Sequence, residues 1–142
     1  MPQQLTAEQW NRTLLARQHL LDRVDEDAIE VLDRSVGLQA QDPQAPFYGL
    51  WSRIEGFEPT ELDELLTDRE VVRMTLLRGT LFLMDGLDAR WIRGAVQPSI
   101  DVLLRQNHLR RLSAAEPAEI VDLARGLFAS AGDDGVSGDR LR

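Results

Sequence analysis

The sequence predicts a mainly α fold with a small β-hairpin, an α+β class. Apolar residues recur at helical spacing both before Leu66 and after Leu87, and between them Val72 to Leu76 alternates apolar and polar residues, with the apolar run Leu81 to Met84 following after Arg78-Gly79-Thr80. A hydrophobic content of 43% over 142 residues is enough for a compact core.

Each element has its own signal. Thr6-Ala7-Glu8-Gln9 fits a capping box, and the helix behind it is expected to turn Trp10, Leu14 and Leu21 to one side. Asp25-Glu26-Asp27 suits a second helix start. Ile29, Leu32 and Val36 then recur at i, i+3 and i+7 before Gly37 stops it. The next residues, Gln39-Ala40-Gln41-Asp42-Pro43, read as an extended turn, because Pro43 disfavours the helical region at Asp42. Only an extended backbone sets the two glutamines on one side, since residues i and i+2 of a helix lie about 200° apart. Pro46 can open a third helix through Phe47, Leu50, Trp51 and Ile54, ended by Gly56, and Thr60 is expected to cap a fourth with Leu62, Leu65 and Leu66 inward. Val72, Met74 and Leu76 alternate with Arg73 and Thr75. Leu81-Phe82-Leu83-Met84 returns after a turn containing Gly79, which completes the hairpin. Helical signals resume from Leu87 to Val96, Pro98 offers a break, and Ile100, Leu103 and Leu104 mark the next helix. Ile120, Leu123, Ala124, Leu127 and Phe128 form the stripe of a last helix, with Ser113 or Glu116 as its cap. The tail from Gly132 reads as a loop followed by the start of another helix.

Composition excludes several functions. There are no cysteines, so disulfide and thiolate chemistry are absent, and His19 and His108 stand far apart with no second ligand at metal spacing. Neither a metal nor a cofactor is expected. No apolar run approaches the roughly 20 residues of a membrane span, and Met1-Pro2-Gln3-Gln4 lacks a basic-then-apolar signal, so a cytoplasmic location is expected. The net charge of -8 speaks against nucleic acid, yet it is unevenly spread: Val71 to Leu112 holds seven arginines against three acids. All sixteen basic residues are arginine, a residue that binds phosphate bidentately.

Helices followed by an arginine-bearing hairpin follow the order of a winged helix, in which a helix docks in the major groove and the hairpin touches backbone or minor groove. Leu14-Leu15-Ala16-Arg17-Gln18, Gly37-Leu38-Gln39-Ala40-Gln41-Asp42-Pro43, Leu50-Trp51-Ser52-Arg53, Val72-Arg73 and Leu77-Arg78-Gly79-Thr80-Leu81 occur in that order, and with them the sequence resembles the AlkZ-like winged-helix DNA glycosylase family. The resemblance covers roughly residues 10 to 95. It implies a winged-helix domain over residues 1–95 and a helical extension over 96–142 that begins a second winged-helix unit, the chain being the N-terminal part of a tandem winged-helix protein. It also implies hydrolysis of the N-glycosidic bonds of alkylated or crosslinked purines, with double-stranded DNA as partner and a nucleoid-associated location. Gln39 and Gln41 occupy the family's catalytic Gln-x-Gln positions, and Trp51, Arg53, Arg73, Arg78 and Thr80 are the expected DNA-binding residues. Where the family is expected to carry histidine after Gly-Thr-Leu, this sequence has Phe82, which can neither titrate nor hydrogen-bond.

A plainer reading stands beside each residue. Gln39 and Gln41 fit a turn whose amides cap neighbouring helices, Trp10 and Trp51 fit core packing, and Arg53, Arg73 and Arg78 fit a solvated face or ion pairs with the acidic residues 58–70. Asp42 is either a water-activating carboxylate or a turn former. Three functions follow: a glycosylase domain, a non-catalytic winged-helix DNA binder, and a protein-interaction module that forms a homo-oligomer through an incomplete core.

Overall fold

The computed structural model describes residues 4–107 and 117–141. They contain six α-helices and one three-stranded antiparallel sheet, in the order α1 (Ala7–Arg17), α2 (Ala28–Ser35), β1 (Leu38–Gln39), α3 (Ala45–Trp51), α4 (Pro59–Thr67), β2 (Val71–Thr75), β3 (Leu81–Asp85), α5 (Gly86–Asn107) and α6 (Pro117–Ala131). The arrangement is α+β, mostly helical and consistent with a winged helix. The chain divides into two compact units, Met1–Ile100 and Asp101–Arg142.

In the first unit, α1 starts on the expected capping box between Thr6 and Gln9, but it contains no buried residue. Trp10 is 55% exposed, and Leu14 and Leu21 are also open, against the expectation that they turn into a core. The helix starts on a local signal, and none of its apolar side chains is buried. α2 is capped by Asp27 and Glu30, and the Glu61 carboxylate of α4 accepts a further bond from the Ala28 N–H at 2.8 Å. Its buried side chains are Ala28, Val31 and Leu32; Ile29 is half-buried, and Val36, expected inward, is exposed as the helix terminates around it. Val36 holds a left-handed conformation at φ 55°, unusual for a β-branched residue. Gly37 follows at φ +80°, where an added Cβ would stand 2.7 Å from the Leu83 carbonyl oxygen. Glycine there lets β1 approach β3 directly after the helix.

α3 begins with Pro46 in its first turn and ends at Trp51, three residues short of Ile54, which instead forms a bridge with Val24. The fourth helix starts at Pro59, not behind a Thr60 cap: Glu58 is the N-cap and makes no capping bond. Proline at the first position lacks an N–H that would have no helical partner anyway, so it can set the start by itself. Leu62, Leu65 and Leu66 face the core as expected. The hairpin forms where the alternation places it, β2 against β3 in the register Arg73↔Leu83 and Met74↔Phe82, with Arg78 and Gly79 at positive φ in the turn. α5 runs through Pro98, where a break was expected. Proline deletes one bond, to the Gly94 carbonyl, and Gly94 is exposed, so water can replace it.

The central strand β3 has two covered faces. Leu83 pairs with Leu38 and Arg73 toward a first core that includes Val31, Leu32, Leu50, Leu62 and Val71. Phe82 and Met84 face the opposite way into a second core with Leu76, Ala89 and Ile92, so the N-terminal part of α5 covers that side. In the second unit, α6 is followed by short 3₁₀ turns at Gly132–Asp134 and Gly138–Leu141, and Ile120, Leu123 and Phe128 of the expected stripe are exposed. The expected caps Ser113 and Glu116 lie outside the described residues, as does His108.

Candidate active site and nucleic-acid surface

The Gln39-Ala40-Gln41 segment is extended and paired with β3. Gln39 lies opposite Phe82, and the Ala40 N–H donates to the Leu81 carbonyl at 2.8 Å, which continues the ladder by one residue. Ala40 is fully buried while Gln39 and Gln41 are exposed. That alternation sets both glutamines on one side of the strand, as the extended reading requires. The side is the one shared by Phe82 and Met74, at the β1 edge of the sheet.

The two amides differ in what they touch. Oε1 of Gln41 accepts the Leu81 N–H at 3.3 Å, which fixes the carboxamide against the start of β3 and leaves its NH2 group as a donor. Gln39 makes no side-chain hydrogen bond to a described residue, and both its donor and its acceptor are open. Asp42 is a turn former: its Oδ1 accepts the Gln44 N–H at 2.9 Å and its carbonyl accepts the Ala45 N–H, which turns the chain into α3.

Arg73 ties this segment down from the opposite face of the sheet. Its Nε donates to the Ala40 carbonyl at 2.8 Å and its Nη2 to the Gln41 carbonyl at 3.3 Å, so one guanidinium spans β3 and clamps the backbone between the glutamines. Spacing alone could not have shown this, because the partners are more than thirty residues away in sequence. Arg53 is also engaged, within its own turn: Nη1 donates to the Gly49 carbonyl at 2.8 Å and to the Ser52 Oγ. Burial pushes its pKa below the ordinary arginine value, although arginine stays charged at neutral pH. Arg78 is exposed at the hairpin tip, and the Thr80 Oγ1 donates to the Leu77 carbonyl at 3.1 Å to close that turn.

Trp51 is 55% exposed and Tyr48 70%. With Phe47, Phe57 and Pro59 they line an apolar pocket of about 250 Å³, and the Arg23 guanidinium stacks 4.2 Å above the Trp51 ring. The aromatic surface is therefore not core, although one ring face of Trp51 already has a cation on it. Asp33, near the end of α2, has its carboxyl pushed above the ordinary range, by burial first and then by Asp85, Asp88 and Asp27. Among the described residues no group of three or more metal-ligating side chains comes together, and no helix is long and apolar enough to cross a membrane. His19 is buried in the α1–α2 connection with its Nε2 unpartnered among the described residues.

Fold and site together form an α+β arrangement, consistent with a winged helix, in which the strand carrying Gln39 and the arginine-tipped hairpin share one sheet. The chain belongs to the AlkZ-like DNA glycosylase family, described as "DNA glycosylase AlkZ-like", which matches residues 32–136. The match takes in the glutamine strand, the hairpin and the helices after it, and membership supports a DNA-repair function of the glycosylase type with DNA as partner. Comparison with curated proteins finds no match, and comparison with solved structures finds none.

Proposed function

We propose that the protein hydrolyses the N-glycosidic bond of alkylated purines in double-stranded DNA, with Gln39 positioning the water and Gln41 the sugar or phosphate. A purine alkylated at N7 or N3 is cationic and leaves as a neutral base, so the bond needs little acid assistance. Water adds to C1′ as the C1′–N bond breaks, and its proton passes to solvent. A carboxamide oxygen can accept from that water but is too weak a base to take the proton, so the contribution is positioning. The observation that carries this reading is the open carboxamide of Gln39 next to a Gln41 held by the Leu81 N–H with its NH2 group free. Exposed Arg78 at the hairpin tip supports wing contact with the DNA backbone, and the Tyr48–Trp51 surface supports contact with a base. The test is release of alkylated purine from methylated duplex by the parent protein and by the Gln39→Ala/Gln41→Ala variant. Release by the parent and none by a folded double variant is expected; equal release by both refutes the role of the glutamines.

One observation favours a second reading. Phe82 is directly opposite Gln39, and the Ala40–Leu81 bond makes theirs the pair type whose side chains approach most closely. The position where a histidine would serve the water is therefore apolar, which suits a non-catalytic DNA-binding domain. Such a protein binds duplex with a salt dependence that weakens on Arg78→Ala and releases no base. Self-association is supported by the exposed apolar side chains of α1, and light scattering reads it.

A further inference from the structure

We propose that the groove between the free edge of β2 and the α5 flank carrying Arg90 and Arg93 grips a DNA phosphodiester, as a contact separate from the glutamine strand. The inference rests on DNA being the partner. The groove encloses about 940 Å³, with Val72 and Met74 from β2 on its floor and Arg69, Arg90 and Arg93 among its walls. Among the described strands β2 pairs only with β3, so its other edge carries no strand. Ala89 and Ile92 point into the second core; Arg90 and Arg93 each follow one of them in sequence and so fall together on one flank of the helix.

Two features mark these arginines. In a chain with 24 acids and 16 basic residues, neither Arg90 nor Arg93 forms an ion pair or side-chain hydrogen bond with a described residue. One terminal nitrogen of Arg93 is enclosed without an acceptor among the described residues. Three arginines line the groove against two acids, and neither acid pairs with Arg90 or Arg93: Asp85 directs its Oδ1 to the N–H groups of Leu87 and Asp88 at 2.8 and 2.9 Å, and Glu70 is exposed. The Cβ atoms of residues three apart on a helix stand about 5–6 Å from each other, so two such guanidiniums can converge on one phosphate, while a short apolar floor suits the adjoining sugar or base. Val72 and Met74 lie on the same sheet face as Gln39, at the far edge, roughly 10 Å across from it by strand spacing. A strand of DNA held in the groove is thereby oriented relative to the site without touching the reacting base.

The experiment is a fluorescence-anisotropy titration of a short labelled duplex between about 50 and 200 mM salt, with the parent, Arg90→Gln/Arg93→Gln and Arg90→Lys/Arg93→Lys. The glutamine double variant is expected to bind about tenfold more weakly or worse, with the log–log salt slope smaller by about 0.9 for the one phosphate lost, while the lysine variant keeps the parent slope. Should the double variant fail to fold, Arg90→Gln at an exposed position is expected to weaken binding by about threefold and to lower the slope by less than about 0.9, since Arg93 stays on the same phosphate; unchanged affinity and slope overturn the groove. A parent that binds DNA and a variant with unchanged affinity and slope overturn the groove alone; a parent that binds no DNA overturns the reading beneath it. Loss of binding to a labelled glutamate-rich peptide with unchanged DNA binding also overturns it, in favour of an acidic protein partner.

Discussion

Replacing Arg73 by alanine removes the clamp on the Ala40 and Gln41 carbonyls. Hydrogen bonds from a charged group contribute about 1.5–3 kcal/mol each when well formed. Here one is short, at 2.8 Å, and the other long, at 3.3 Å, and the side chain is exposed, so the pair is discounted to about 1–2 kcal/mol in total. That is a measurable part of the roughly 5–15 kcal/mol typical of a domain. Urea unfolding followed by circular dichroism should show the lower midpoint at unchanged slope. Arg73→Lys should recover less than half of the loss, because an ammonium lacks the fork that reaches two carbonyls at once. The reasoning is refuted if Arg73→Ala unfolds like the parent while its DNA-binding salt slope falls by about 0.9, for then the guanidinium serves a phosphate and not the strand.

Three further outcomes follow from the same geometry. Gln41→Ala should cost about 0.5–1 kcal/mol through the lost acceptor for the Leu81 N–H, whereas Gln39→Ala should stay within about 0.5 kcal/mol of the parent, both read by urea unfolding. Val36→Gly should stabilise by about 0.5–1 kcal/mol, because a β-branched residue at φ 55° carries a left-handed strain that glycine lacks, partly offset by glycine's freedom in the unfolded chain; thermal unfolding checks it. Asp33 binds its proton more readily folded than unfolded, so its contribution to stability falls as pH rises through the window above the ordinary carboxylate value. Asp33→Asn should therefore be slightly more stable than the parent at neutral pH, with the gain vanishing in acid, as urea midpoints across pH will show.

Local signals were legible and long-range ones were not. The Thr6 capping box, the acidic helix start at Asp25-Glu26-Asp27, the turn at Gly79 and the inward leucines of α4 depend on residues within a few positions of each other, and each formed where the sequence placed it. Val36 and the α1 side chains were misjudged because periodicity says which residues share a side, not whether another element covers it. The extended glutamine segment was readable from Pro43; its promotion to a sheet edge depends on β3, some forty residues later. The arginine-rich run was visible as a charge imbalance. Which arginines are engaged, Arg53 and Arg73, and which have no side-chain partner among the described residues, Arg78, Arg90 and Arg93, required the fold.

The central claim is that Gln39 places a water at an alkylated purine while Gln41 holds the sugar or phosphate. The measurement that tests it most directly is single-turnover release of alkylated base from methylated duplex, comparing the parent with Gln39→Ala, Gln41→Ala and the double variant at matched folded fraction. The account predicts release by the parent, the larger rate loss at Gln39, whose amide is open, and none above background for the double variant. A parent that binds the duplex yet releases no base, or a double variant as fast as the parent, contradicts it.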